Sequence, residues 1–262
     1  MEANLQEYHR SASRYDSTET CLVSVHHQLM LQSDLDYVLS IMRKHLRRKP
    51  HALDACGGSG NVALRLLARG ADVTLCDISP EMISLFESKC KENKMKNYTT
   101  ICQEIGSYLA STKLKFDLIV FSSALHHIED YTSILKMAVS HLNKNGFVYT
   151  VFDPIKCPLL TRQILWIETI LNAAIKYPSE ACWTARKRLV ASFTREGPSQ
   201  FTRYEYYARS GIDDYSLVNS LKGMGIEVFL HDRYPDARYT ITRILLSALK
   251  RPTAFKLLLR LH

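Results

Sequence analysis

The residues best suited to chemistry lie in His51-Ala-Leu-Asp54-Ala-Cys56-Gly57-Gly58-Ser-Gly60-Asn-Val-Ala63 and, downstream, in Leu75-Cys76-Asp77. Each segment is a short apolar run ending in an acid. The first continues into glycines, which let a ligand approach backbone where a Cβ would clash. A carboxylate at the end of a second strand can accept hydrogen bonds from two ribose hydroxyls. Together they describe a nucleotide-type pocket at the carboxyl edge of a parallel sheet, with Asp77 on the ribose.

The elements needed to hold those residues can be read from apolar spacing. Leu22 to His45 has helical periodicity, and Arg47 to Pro50 ends it. His51–Cys56 reads as a strand, Gly57–Gly60 as a loop, and Asn61–Arg69 as a helix closed by Gly70. Asp72–Cys76 is a second strand. Ser79 then caps a helix to about Asn93, with Pro80 in its first turn. Tyr98–Cys102 and the nearly all-apolar Phe116–Ser122 are strands, the latter buried on both faces. Tyr131–Leu142 is a helix and Gly146–Phe152 a fifth strand. This alternation predicts an α/β fold with a mostly parallel Rossmann-like sheet of seven strands. A helix over Asp214–Met224 and strands over Ile226–Asp232 and Tyr239 to about Leu246 follow. The short link between those strands predicts an antiparallel last strand. Residues 154–212 carry no clear strand and read as a helical cap inserted after strand five.

Gly58-Ser-Gly60-Asn-Val-Ala63 also fits a dinucleotide fingerprint, but three features favour S-adenosylmethionine. Asp54, just before the glycines, would repel a pyrophosphate and attract an α-ammonium. Glu104, after strand three, can accept from an adenine amino group. A sheet finishing with an antiparallel strand is not the parallel dinucleotide fold.

With these motifs the chain resembles the class I S-adenosylmethionine-dependent methyltransferases, most closely the small-molecule branch that includes quinone methyltransferase-like enzymes. Asp54, Gly58 and Gly60 match the family's acid-x-Gly-x-Gly-x-Gly motif, while Cys56 stands where its first glycine is expected. Asp77-Ile78-Ser-Pro-Glu-Met82, the Glu104-Ile105 pair, Phe116 to Asp130, and Asn143-Lys-Asn-Gly146 match later motifs. The resemblance spans roughly residues 40–153 and 214–247. It implies methyl transfer from S-adenosyl-L-methionine, leaving S-adenosyl-L-homocysteine, to an O, N or C atom of a small aromatic or anionic acceptor. It also implies a cofactor site of Asp54, Cys56, Gly57, Gly58, Gly60, Asp77, Ile78, Met82, Glu104, Ile105 and Ser122, with Tyr15, like Tyr8, on an N-terminal lid. His126 and His127 follow strand four, where an imidazole can remove a proton from the acceptor or shape the pocket. Trp166, Trp183, Arg203 and Tyr207 are the cap residues expected to hold the acceptor.

The expected organisation is an N-terminal lid and helix over 1–45, a cofactor-binding core over 46–153 and 213–248, a substrate cap over 154–212, and a basic tail over 249–262. The 262 residues are 46% hydrophobic, enough for a full core. The net charge of +8 and isoelectric point near 9.1 suit anionic partners, which keeps a nucleic-acid methyltransferase as a rival. Against it, strand four ends in Ser-Ser-Ala-Leu-His-His, not in an Asn-Pro-Pro-aromatic grip for a flipped base. Cys56 keeps a second rival alive, a non-catalytic methyltransferase-like partner protein. Seven cysteines without a CxxC pair read as reduced thiols. With a polar N-terminus and no membrane-length apolar run, this gives a cytoplasmic expectation. His9, His26 and His27 lack ligand spacing to an acid or thiol, so no metal is expected. An aromatic cap leaves room for a homodimer.

Overall fold

Buried positions recur at helical spacing along Val25–Arg43: His27, Leu31, Leu35, Val38, Leu39 and Met42 all face inward. In the computed structural model this stretch is helix α2, preceded by a short α1 (Thr20–Val23). The structure describes Asp16, residues 20–158, positions 160, 161, 163–165 and 167, residues 210–237, and residues 240–262. The core elements then alternate. They are β1 (His51–Ala55), α3 (Asn61–Ala68), β2 (Asp72–Asp77), α4 (Pro80–Glu92), β3 (Tyr98–Cys102), α5 (Ile105–Ser111), β4 (Phe116–Ser122), α6 (Tyr131–Ser140) and β5 (Leu142–Pro154). After the excursion come α7 (Asp214–Ser220), β6 (Ile226–Tyr234), α8 (Thr240–Ala248) and β7 (Ala254–Leu261).

The seven strands form one sheet in the order β3-β2-β1-β4-β5-β7-β6. The pairings from β3 through to β5 are parallel, and β7 is antiparallel to both β5 and β6. Helices cover both faces. One core joins Leu31, Leu35, Leu66 and Phe86 to Leu118, Val120 and Tyr149. The other joins Ile105, Leu135 and Leu217 to Ile119, Phe121 and Leu259. Successive residues of β4 and β5 thus point to opposite cores, the two-residue period of a strand. Because the chain runs β1-β2-β3 to one side and returns to β4 on the other, the loops after β1 and β4 diverge. Such a split at the carboxyl edge is where open α/β sheets take ligands.

The last two elements differ from the sequence expectation. Residues Tyr239 to Leu246 were expected as the final strand, but Thr240–Ala248 is helical. Ile241, Ile244 and Leu245 have the spacing of one helix face, and Leu246 turns into the core. The final strand is instead Ala254–Leu261, the segment expected as a basic tail. Its charges sit where they can be met: Lys256 Nζ is 3.0 Å from both carboxylate oxygens of Asp34, and Arg260 Nη2 donates to Asn145. The excursion after β5 leaves and returns at one place. Ile155 and Ile212 form a parallel bridge, with Ile212 N–H donating to Pro154 O at 2.8 Å. The helical cap expected between them lies almost wholly outside the described residues. Among those described, no helix is long and apolar enough to cross a membrane, and Cys56, Cys76, Cys90, Cys102 and Cys157 are free thiols.

Because β7 is an interior strand, Leu258→Ala removes a fully packed side chain and should cost about 2–5 kcal/mol. Urea unfolding monitored by circular dichroism measures this. A change within error would mean that residues 254–261 do behave as a tail.

Candidate functional site

Three strand ends meet at the split edge, and each is followed or capped by a non-glycine residue in the left-handed region: Cys56 (φ 56°) after β1, Ser123 (φ 54°) after β4 and Phe152 (φ 65°) near the end of β5. Each such residue costs on the order of 1–3 kcal/mol and persists only when its surroundings hold it. The backbone beside each is tied down. Gly57 N–H donates to Cys76 O, Ser123 N–H to Val151 O, and Phe152 N–H to the Tyr234 hydroxyl. The left-handed turn at Cys56 also explains why the family motif favours glycine there.

Between the turns at Cys56 and Ser123 lies an open cleft of about 1190 Å³, counting the space that merges with solvent. From the β1 turn, Asp54, Cys56, Gly57 and Gly58 line it. Asp77 and Ile78 come from the end of β2, and Glu104 and Ile105 from the end of β3. Ser122 and His127 come from the end of β4. The cleft thus gathers most of the expected cofactor set. A Cβ on Gly57 would lie 2.8 Å from Asp54 Cγ and 2.9 Å from Leu75 Cδ1, so the turn packs tightly against the acid that it frames.

Asp54 is the most unusual group. Its Oδ2 accepts the Ala63 N–H at 2.9 Å, at the start of α3, while Oδ1 is buried without a partner. Burial is the main force pushing its carboxyl up to about 7. The Ala63 amide opposes the shift and the nearby Asp77 charge adds to it. Asp77 is also raised by burial, against hydrogen bonds from the Ser79, Gly58 and Ile78 amides. Gly58 N–H reaches its Oδ2 at 2.8 Å and Ser79 N–H its Oδ1 at 2.9 Å. Glu104 caps α5, taking the Gly106 and Ser107 amides. A carboxylate offers about four lone-pair sites, so both Asp77 and Glu104 keep acceptor capacity toward the cleft.

The two histidines separate. His127 lines the cleft, and burial, with His126 alongside, drives its imidazole pKa down to about 3. His126 is buried behind it, the two ring centroids 4.0 Å apart. Its Nδ1 lies 2.8 Å from Asp153 Oδ1, and its backbone N–H reaches the same oxygen at 3.2 Å. Of the two histidines expected as catalytic, His127 is on the cleft wall, and His126 is held behind it by Asp153.

Two residues expected at the cofactor, Met82 and Gly60, are not on the cleft wall. Gly60 sits between Ser59 and Asn61, which are on it. It begins α3 at φ +85°, and a Cβ there would fall 2.1 Å from the Phe86 ring. Met82 is buried in α4, its N–H donating to the Ser79 cap. Tyr15, Trp166, Trp183, Arg203 and Tyr207 lie outside the described residues. Residues that the sequence reading passed over include Leu22 and Glu129 on the cleft wall, and Asp153 behind it. Asp153 carried a usable signal, since it ends β5 as Asp54 ends β1 and Asp77 ends β2.

A carboxyl held near 7 in the folded chain keeps a proton that the unfolded chain has lost above its ordinary value of 3.8. Asp54 therefore lowers stability as pH rises from about 4 to 7, with no further loss above that. Asp54→Asn keeps an acceptor for Ala63 N–H and removes the titration. Denaturation across this range should show the variant losing less stability than the parent. Parallel curves would mean that Asp54 is not a buried titrating acid.

The family described as a methyltransferase domain matches residues 52–146. The tRNA 5-carboxymethoxyuridine methyltransferase of Escherichia coli K12 is 33% identical over 129 residues, 48% of this chain and 47% of that protein. The ubiquinone/menaquinone biosynthesis C-methyltransferase of Zymomonas mobilis is 32% identical over 92 residues, 35% of this chain and 36% of the relative. The chain spans about half the length of the first of these, or less of the second. Magnesium protoporphyrin IX methyltransferase from Synechocystis, solved with S-adenosylmethionine bound, aligns over 98% of this chain and 94% of its own length. Its TM-score is 0.56 at 14% identity, a likeness of fold. The β1 turn and its glycines fall within the stretch, residues 52–146, that matches the methyltransferase-domain family, and the likeness to the solved structure is one of fold.

Proposed function

We propose that the chain transfers a methyl group from S-adenosylmethionine to a small acceptor, aromatic or anionic in character. The observation that carries the cofactor half of this reading is the unpartnered Oδ1 of Asp54, buried in the cleft wall beside the glycine turn. A buried acceptor with no donor costs stability, and a ligand ammonium relieves that cost. The lining residues fit the cofactor: carboxylate acceptors on Asp54 for the ammonium and on Asp77 for the ribose hydroxyls, and Glu104 with Ile105 for the adenine edge.

The bound cofactor supplies a carbon activated by a positive sulfur. The chain's part is to orient the acceptor and exclude water. His127 stays neutral throughout the physiological range because its pKa is depressed to about 3. It is therefore a weak base, suited to accepting a hydrogen bond from the acceptor and shaping the wall around it. His126, held by Asp153, backs that ring. The excursion over 154–212 springs from the end of β5, next to Asp153.

A second reading, methylation of RNA, is supported by the net charge of +8 and by the similarity to the Escherichia coli tRNA enzyme over 48% of this chain. Incubating the protein with methyl-labelled S-adenosylmethionine and either a low-molecular-weight metabolite fraction or bulk tRNA separates the two. Label entering the small-molecule fraction supports the first reading. Label in tRNA alone overturns it.

Cofactor binding has its own signature. Below pH 7 the free cleft holds a proton on Asp54, and an arriving ammonium favours the carboxylate. S-adenosylhomocysteine binding at about pH 6 should therefore release close to one proton. Calorimetry in buffers of different ionisation enthalpy reads this directly. The release should vanish at about pH 8.5 and in Asp54→Asn, while His127→Ala should lower turnover with the binding constant nearly unchanged. Binding without proton release at pH 6 would place the ammonium elsewhere.

A further inference from the structure

Large apolar side chains are exposed on two neighbouring helices. On α8, Ile241 is 77% exposed and Ile244 63%, with Leu245 and the following Leu249 also open to solvent. At the start of α2, Val25 is 72% exposed and Leu29 60%. The two segments are joined, because Arg243 Nη1, between the two isoleucines in sequence, donates to Ser24 Oγ at 3.0 Å. Leu246, fully buried, and His27, edge-on against Phe152, anchor the helices to the body, so these apolar side chains are not left out by a failure to pack. A contiguous apolar face of this kind marks an interaction surface.

Among the described residues, three basic side chains lie on or next to the face. Arg243 lies within it, and Lys250 and Arg251 follow α8 directly. Among the described residues, neither Lys250 nor Arg251 is in an ion pair. The nearby acid, Asp236, is engaged by His27 at 3.0 Å. A second copy docked on this face about a two-fold axis would set the same cations against each other. An anionic surface complements them. The face also adjoins the cleft, since Leu22 lines the cleft wall and is followed at once by Val23 and Ser24.

We infer that α8, together with the start of α2, is a docking surface for an anionic lipid bilayer, which brings the mouth of the cleft against the membrane. The helix lies along the interface with Ile241, Ile244 and Leu245 in the headgroup–acyl boundary, and Arg243, Lys250 and Arg251 at headgroup level. No membrane span is involved, and the inference does not depend on methyl transfer. Its consequence for the cleft is access to an acceptor held in, or delivered from, the lipid phase.

Co-sedimentation of the full chain with vesicles, without any methyl donor, tests this. The probes are phosphatidylcholine vesicles and the same vesicles doped with phosphatidylglycerol. The chain should partition onto the doped vesicles about tenfold more strongly, and salt should weaken this. Ile241→Glu/Ile244→Glu should lose about tenfold in partition while keeping its circular dichroism spectrum and its affinity for S-adenosylhomocysteine, since both side chains point to solvent. Leu114→Glu, an exposed apolar position ahead of β4 at the opposite edge of the sheet, should leave partition unchanged. Equal partition by the double variant and the parent, or no binding to the doped vesicles, overturns the inference. So does a concentration-dependent dimer in the absence of lipid that the double variant abolishes, with no vesicle binding, which would assign the face to a second copy.

Discussion

A carboxylate buried at the end of β1 with one oxygen satisfied and one open is the constraint around which the cleft is built. The satisfied oxygen ties β1 to the first turn of α3 through the Ala63 amide. The open oxygen, buried without a partner, is the acceptor proposed for the ligand ammonium. The rest follows from keeping that group buried. Gly57 has no room for a side chain because Asp54 and Leu75 fill the space. Cys56 takes a left-handed turn so that the chain can double back. Gly60 takes another so that α3 can start against Phe86. The split between β1 and β4 then supplies the opposite wall, where Ser122 and His127 face the same space.

Much of this was legible in the residues because short-range chemistry dictates it. Acid, glycine turn, amphipathic helix, strand and second acid need only their own sequence to declare a βαβ unit, and Ser79 and Pro80 open α4 as their types suggest. The C-terminal region was not legible for a physical reason. Thr240-Ile-Thr-Arg-Ile is dense in β-branched residues, which suit strands, yet the apolar positions fall at helical spacing and one leucine anchors the helix. Conversely, Lys256 and Arg260 made β7 look like a solvated tail. Their charges are instead met by Asp34, on α2, and Asn145, partners more than a hundred residues away in sequence. Local propensity carries no information about such partners.

The pair His126-His127 shows the same limit at the site. Adjacent residues of one type cannot be told apart by pattern, and the difference arises from Asp153 on β5, which fixes one ring behind the wall and leaves the other on the cleft. Glu104 is similar. Its place after β3 suggested an adenine contact, and in the fold it caps α5 from a position on the cleft wall.

The central claim, that the crevice between β1 and β4 is a cofactor site organised by Asp54, is tested most directly by a crystal structure of the protein grown with S-adenosylhomocysteine. The account predicts the ligand ammonium within hydrogen-bonding distance of Asp54 Oδ1, and the ribose hydroxyls on Asp77. A ligand bound elsewhere, or one whose ammonium leaves that oxygen without a partner, would contradict it.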